Sequence, residues 1–249
     1  MKTNSFLLSA LLLASVLFIS CSKQPEAPQA GIIVPDTLNG VPCCVYLPHH
    51  YAQRAANETF PVLYLQHGMY GNETDWSTQG NLLAIMDSLL QCGEVEEMVV
   101  IMPDNCPGRP TAEEERANAT TGEWENHFAE FIAASEARYA ISHDPDRRAI
   151  AGLSMGGYHT MRVSTVLDGR FAYVGMFSPA TFVHEAPTAP KLLWLGIGTD
   201  DFLYEPVQDY RQWLEANHIE YTYYESTGGH TWPNWQDYIV RFLKMVHFE

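Results

Sequence analysis

The chain has 249 residues, 46% of them apolar and 18% charged, a globular composition long enough for one α/β domain with a sizeable core. Fourteen Lys and Arg stand against 30 Asp and Glu, a formal charge of −16, and no basic cluster offsets it. That balance excludes nucleic acid as a natural partner and would repel a polyanionic substrate.

The first twenty residues read as a targeting segment. Lys2 is its positive end, and Phe6 to Ile19 is an apolar run broken by Ser9 and Ser15. The run is shorter than the ~20 residues of a comfortable membrane span. It meets Ser20-Cys21-Ser22-Lys23. A small residue directly before a cysteine resembles the lipobox of bacterial lipoproteins, with Phe18 where Leu is usual. The resemblance implies cleavage before Cys21 and a lipid on Cys21, hence a periplasmic or outer-membrane-associated protein held by its anchor alone. The chain divides into a signal peptide (1–20), a lipidated N-terminus and Pro-containing polar linker (21–30), and one domain (31–249).

Export implies an oxidising compartment. Cys43 and Cys44 are adjacent in a strand and point to opposite faces. Cys92 and Cys106 could pair or could be small buried side chains; the sequence leaves both open. No spacing resembles a metal site.

From Gly31 the elements follow in order. Ile32 to Val34 and Val41 to Leu47 form a hairpin at the sheet edge, turning at Asn39-Gly40, and Pro42 suits an edge strand. Pro61 to Gln66 is a buried strand ending in His67-Gly68-Met69-Tyr70-Gly71. Residues 71–78 read as loop. Leu82 to Leu90 has helical spacing, and Met98 to Met102 is an apolar strand stopped by Pro103-Asp104. Asn105 to Gly122 is a loop rich in Gly, Pro and charge. Trp124 to Tyr139 is an amphipathic helix and Arg147 to Ala151 a short strand. A helix then runs from Met155 to about Leu167. Tyr173 to Phe177, Leu192 to Ile197 and Tyr221 to Tyr224 are strands; Val207 to Ala216 and Trp232 to Val246 are helices. Apolar strands alternating with amphipathic helices predict an α/β fold: a doubly wound, mostly parallel sheet with helices on both faces and no large cap domain.

The stretch Ile150-Ala151-Gly152-Leu153-Ser154-Met155-Gly156-Gly157 carries the chemistry. A strand, Gly-x-Ser-x-Gly and a helix in succession are the context of a nucleophile elbow. The serine sits on a strained turn with its hydroxyl exposed, and the glycines let strand and helix approach. The helix N-terminus supplies free N–H groups where an oxyanion would form. A serine hydroxyl needs a base to take its proton and an acid to hold that base in one tautomer. In a doubly wound sheet both come from loops at carboxyl ends of strands. Gly198-Thr199-Asp200-Asp201 ends one strand, and Gly228-Gly229-His230 follows another. The order Ser154, Asp, His230 fits the triad. His230 is favoured over His127, His159 and His218 because it follows the acid and its glycines allow close approach. Local chemistry does not separate Asp200 from Asp201.

Several stretches resemble the esterase D-like family of α/β-hydrolases, which includes feruloyl and acetylxylan esterases of carbohydrate esterase family 1. They are Leu65 to Gly71 with Asp75-Trp76, Arg148 to Gly157, Gly198 to Tyr204, and Gly228-Gly229-His230-Thr231-Trp232. Together they span most of the domain. In the family's Gly-Thr-x-Asp pattern the fourth residue is the triad acid, which implies Asp201. The resemblance also implies an oxyanion hole from the N–H groups of Met69 and Met155; His67 reads as structural, closing the strand, and acyl transfer by this triad needs no metal or organic cofactor. Trp76, Trp124 and Trp232 lie near these loops and could line an acyl or sugar pocket.

The expectation is an exported serine carboxylesterase that removes feruloyl or acetyl groups from plant polysaccharide. Two alternatives stay open: a related esterase or acyltransferase acting on short-chain lipid or siderophore esters, and a non-catalytic glycan-binding surface lipoprotein. The partner is an ester-bearing small molecule or polysaccharide.

Overall fold

Eight strands form one sheet in the order β1-β2-β4-β3-β5-β6-β7-β8, in a computed structural model that describes residues 30–106, 113, 114, 117 and 121–248. The targeting segment, Cys21 and nearly all of the linker lie outside the described residues, as does most of 107–120, a stretch read as loop in which the described residues Glu113, Glu114 and Ala117 are instead helical. β1 (Ile32–Leu38) and β2 (Val41–Leu47) are the antiparallel hairpin. Its turn residues Asn39 and Gly40 have φ of 49° and 78°, the left-handed values that Asn-Gly tolerates. β1 runs four residues beyond the expected Val34, because Pro35 to Leu38 all keep partners on β2. The edge strand is β1, so Pro42 is not on the edge. It lies just outside the β2–β4 ladder, which begins at Cys43, and contributes only its carbonyl, accepting from Asp104 N–H at 2.8 Å.

The remaining strands are β3 (Val62–Gln66), β4 (Val99–Pro103), β5 (Arg148–Leu153), β6 (Tyr173–Phe177), β7 (Leu192–Gly198) and β8 (Thr222–Ser226). From β3 to β8 all pairings are parallel. Five of the six strands are buried throughout, as unalternating apolar runs predict for a sheet covered on both sides.

Residues alternate between two cores. Val62, Tyr64, Val99, Ile101, Leu193 and Leu195 face one; Leu63, Leu65, Val100, Met102, Leu192 and Trp194 face the other. Cys43 and Cys44 split between them as expected. The helices are α1 (Asp75–Thr78), α2 (Leu82–Gln91), α3 (Glu123–Arg138), α4 (Met155–Val166), α5 (Tyr204–Ala216) and α6 (Trp232–Leu243). Phe128 and Phe131 of α3, Met161 of α4 and Tyr210 of α5 cover the first core; Met86 of α2 and Phe242 of α6 cover the second. The single turn α1 stands inside a stretch read as loop. Residues 178–191, between β6 and β7, are irregular. Cys92 and Cys106 are free thiols, as are Cys43 and Cys44. No helix among the described residues is long and apolar enough to cross a membrane.

The strand order positions the site. From β3 the chain runs outward to β4, then crosses back to β5 on the other side of β3. The loops leaving β3 and β5 therefore diverge, and a crevice opens between them at the carboxyl edge of the sheet.

Candidate active site

Ser154 stands at the exit of β5 with φ 55° and ψ −117°, a conformation that costs a non-glycine residue on the order of 1–3 kcal/mol. The neighbours hold it there. Its N–H donates to Phe177 O at 2.9 Å, and its carbonyl accepts from Ala180 N–H at 3.0 Å and Tyr158 N–H at 3.1 Å. The two motif glycines are required by space. A Cβ on Gly152 would lie 2.4 Å from Gly156 O, and one on Gly156 would lie 2.3 Å from His67 O. The elbow helix is thus pressed against both β5 and the exit of β3.

Three loops bring the predicted side chains together. His230 Nε2 lies 2.8 Å from Ser154 Oγ, and Nδ1 lies 3.0 and 2.9 Å from the two oxygens of Asp201. An ionised carboxylate only accepts, so Nδ1 carries the proton, and bare Nε2 is left to accept from the serine hydroxyl. Burial alone would push the Asp201 carboxyl up. The hydrogen bonds from His230 and from the Leu203 N–H at 2.9 Å, helped by the Ser178 side chain, outweigh it, holding the carboxyl below its ordinary range. Asp200, the neighbour that local chemistry could not exclude, is exposed. Its N–H donates to Gly228 O at 2.9 Å, while Thr199 N–H donates to Ser226 O at 2.9 Å. These bonds fasten the acid loop to the histidine loop.

The serine faces a cavity of about 580 Å³, whose lining includes Met69, Met155, His230 and Trp232. Among the described residues, neither the Met69 nor the Met155 backbone N–H donates to another group. Two free donors beside the serine hydroxyl suit a developing oxyanion. Among the described residues the lining carries no Lys or Arg, and its acidic groups are limited to Asp75. No cluster of three or more His, Cys, Asp or Glu that could hold a metal occurs among the described residues.

Two tryptophans are not where the sequence reading put them. Trp76 is 1% exposed and donates its Nε1–H to Gln66 O at 3.1 Å; it packs the second core rather than lining the cavity. Trp124 is half-buried on α3 and donates to Gln66 Oε1 at 2.7 Å. Both indoles secure the end of β3, because a fully buried glutamine at that point needs partners for its carbonyl and its amide. Trp232 does line the cavity, braced edge-on by Trp76 at 5.3 Å between ring centroids. His67 is structural: Nδ1 donates to Gly68 O at 2.7 Å and Nε2 accepts from Asn105 N–H at 3.2 Å. His159 is buried against Glu125 at 2.8 Å, between α4 and α3.

The imidazole of His230 has two aromatic neighbours that sequence reasoning missed. Phe202 lies at 4.5 Å and Trp235 at 4.9 Å, and both line the cavity. Position could have flagged them. Phe202 follows the acid directly, and Trp235 lies in the first turn of the helix that follows the histidine.

Comparisons with known proteins bear on the whole domain. A family model described as "Putative esterase" matches residues 39–213. The chain is 34% identical over 167 residues to an endo-1,4-beta-xylanase/feruloyl esterase of Xylanibacter ruminicola, covering 62% of this chain but 22% of that protein's length. It is 22% identical over 239 residues to an acetyl esterase of Caldicellulosiruptor saccharolyticus, covering 76% and 84% of the two chains. Among solved structures, a ferulic acid esterase of Anaeromyces mucronatus in complex with ferulic acid superposes with a TM-score of 0.76 at 22% identity, over 90% of this chain and 93% of the other. That likeness shows the α/β-hydrolase fold.

Proposed function

The chain belongs to the esterase family whose model spans residues 39–213, and from that premise we propose that it is a serine carboxylesterase releasing feruloyl or acetyl groups from plant polysaccharide outside the cytoplasm. The observation that carries the proposal is the relay Ser154–His230–Asp201 at the floor of an open cavity, with two free N–H donors beside it.

The geometry supports acyl transfer to water. Ser154 Oγ attacks the ester carbonyl as His230 Nε2 takes its proton. The carbonyl oxygen gains negative charge and meets the N–H groups of Met69 and Met155. Fixed donors of this kind contribute on the order of 3 kcal/mol each to the barrier reduction. His230 then protonates the leaving alcohol as the C–O bond breaks, which leaves an acyl-serine. Water repeats the sequence, giving up its proton to His230 and releasing the acid. Asp201 keeps the imidazole oriented and stabilises its cationic form throughout.

A largely apolar cavity of this size suits an acyl group, and the absence of a lining cation among the described residues disfavours a free carboxylate or phosphate on the substrate. The relatives named for feruloyl and acetyl esters favour those two acyl classes. Product analysis on methyl ferulate, acetylated xylan and tributyrin, with wild-type and Ser154→Ala protein, tests the reading. Release of ferulate or acetate that disappears in the variant supports it; turnover confined to tributyrin contradicts the substrate class.

Export and anchoring are part of the proposal and rest on the apolar run Phe6 to Ile19 and on Ser20-Cys21. Mass spectrometry of the mature N-terminus tests them: a diacylglyceryl cysteine at position 21 is expected, and an unmodified residue beyond Cys21 rules out the lipid.

A further inference from the structure

Among the described residues three large aromatic rings stand mostly in water: Tyr70 at 71% exposure, Phe182 at 50% and Phe202 at 73%. All three line the cavity that holds Ser154. They come from separate loops: the one leaving β3, the one leaving β6, and the one that carries Asp201. By contrast, Trp194, Phe128 and Phe177 are each at most 1% exposed. An exposed ring forgoes the stabilisation of burial, and three around one opening mark a surface that a ligand covers.

The segments that bear the rings are held in place before any ligand arrives. Tyr70 has a left-handed backbone, φ 64°, inside the turn closed by Gly71 N–H to Gly68 O at 3.1 Å. Phe182 leans on Tyr158 at 5.3 Å, and its neighbour Thr181 donates to Pro206 O at 3.1 Å. Phe202 rests on the His230 ring.

The chemistry of the occupant follows from size and charge. A cavity of about 580 Å³ takes an acyl group but not a polymer, so a polymeric alcohol must lie across the mouth. Among the described residues the lining has no Lys or Arg, and the chain carries −16, so an anionic lipid surface or a uronate-rich chain meets repulsion. Neutral sugar rings fit. They present flat C–H faces to aromatic rings and keep their hydroxyls at the edge, in water.

Resting on the esterase reading above, we infer that Tyr70, Phe182 and Phe202 form a docking rim for the sugar residues of a neutral polysaccharide, on the alcohol side of the ester. The test compares a feruloylated arabinoxylo-oligosaccharide with methyl ferulate, using wild type, Phe182→Ser and Tyr70→Asn, the last because asparagine tolerates left-handed backbone. Phe202 is left intact because it packs on His230. Each variant is expected to lose roughly two- to tenfold more kcat/KM on the oligosaccharide than on methyl ferulate, the excess falling on KM. Equal losses on both esters, or no loss on either, would overturn the inference. So would a monomeric variant from a wild type that self-associates through the rim. Failure of the esterase reading shows separately, as no turnover of either ester by wild type. Calorimetric titration of Ser154→Ala with unesterified xylohexaose then decides the rim: binding lost with Phe182→Ser supports it, and no binding refutes it.

Discussion

The side-chain amide of Asn234 donates to the carbonyl oxygen of Thr227 at 2.8 Å, reaching back from the first turn of α6 to the loop that carries His230. The same amide donates to Ser226 Oγ at 3.0 Å, and Asn234 Oδ1 accepts from Thr231 Oγ1 at 2.8 Å. Gly228, at φ 91°, makes room: a Cβ there would lie 2.8 Å from Asn234 Oδ1. Asn234 fills the inside of the loop and holds it to its helix.

Asn234→Ala is therefore expected to lower kcat about 10- to 100-fold with KM little changed, since His230 loses its fixed distance to Ser154. Steady-state kinetics give the split. The low-field proton resonance of the His230–Asp201 hydrogen bond should weaken in the variant. A loss shared equally by KM, with that resonance intact, would make Asn234 merely a stabilising residue.

Gly156→Ala should disable the site by a different route. Its methyl would sit 2.3 Å from His67 O and 2.7 Å from Gln66 O, and neither backbone atom can yield without moving the loop that bears Met69. The expected outcome is loss of activity and about 1–3 kcal/mol of stability, read from denaturant midpoints. Gly40→Ala is the control. It strains a left-handed turn in open space, so it should lose about 1 kcal/mol and keep full activity.

Asp201 makes a prediction in acid. Its folded carboxyl lies below the ordinary ~3.9, so the stabilisation from its ionised form is complete above that value. It is lost as pH falls through the lower folded value. Wild type should therefore lose stability more steeply than Asp201→Asn below about pH 4, and the gap between them should be constant above about pH 5. Urea unfolding across that range checks it. At neutral pH the same variant should lose kcat on the order of 10⁴-fold, because an amide can impose the wrong imidazole tautomer.

The tryptophans separate structure from substrate. Trp76→Phe strands the Gln66 carbonyl without its buried donor and should lose about 1–3 kcal/mol of stability, while KM stays near wild type. Trp232→Ala should raise KM for methyl ferulate, because its ring lines the cavity. Thermal unfolding and kinetics on the pair distinguish the two roles.

These contrasts explain what was legible in the sequence. Strand runs and the elbow were readable because β5 is buried end to end and the glycines around Ser154 have no steric alternative. The convergence of Ser154, Asp201 and His230 followed from chain order and strand ends. Asp201 over Asp200 needed the family resemblance, since both share one loop and only the folded chain shows which of them is buried against His230. Trp76 and Trp124 misled because proximity in sequence to a site does not say which way an indole faces; both were claimed by the buried Gln66. Phe202 and Asn234 were passed over because a single phenylalanine or asparagine in a loop carries no pattern. The single turn Asp75–Thr78 escaped because four residues are too few for helical spacing to register.

The most direct measurement is peptide mapping after reaction with a fluorophosphonate probe. A single adduct on the peptide containing Ser154 is predicted, absent in Ser154→Ala and slowed by orders of magnitude in His230→Ala. An adduct that survives Ser154→Ala, or none on the native protein, would contradict the account.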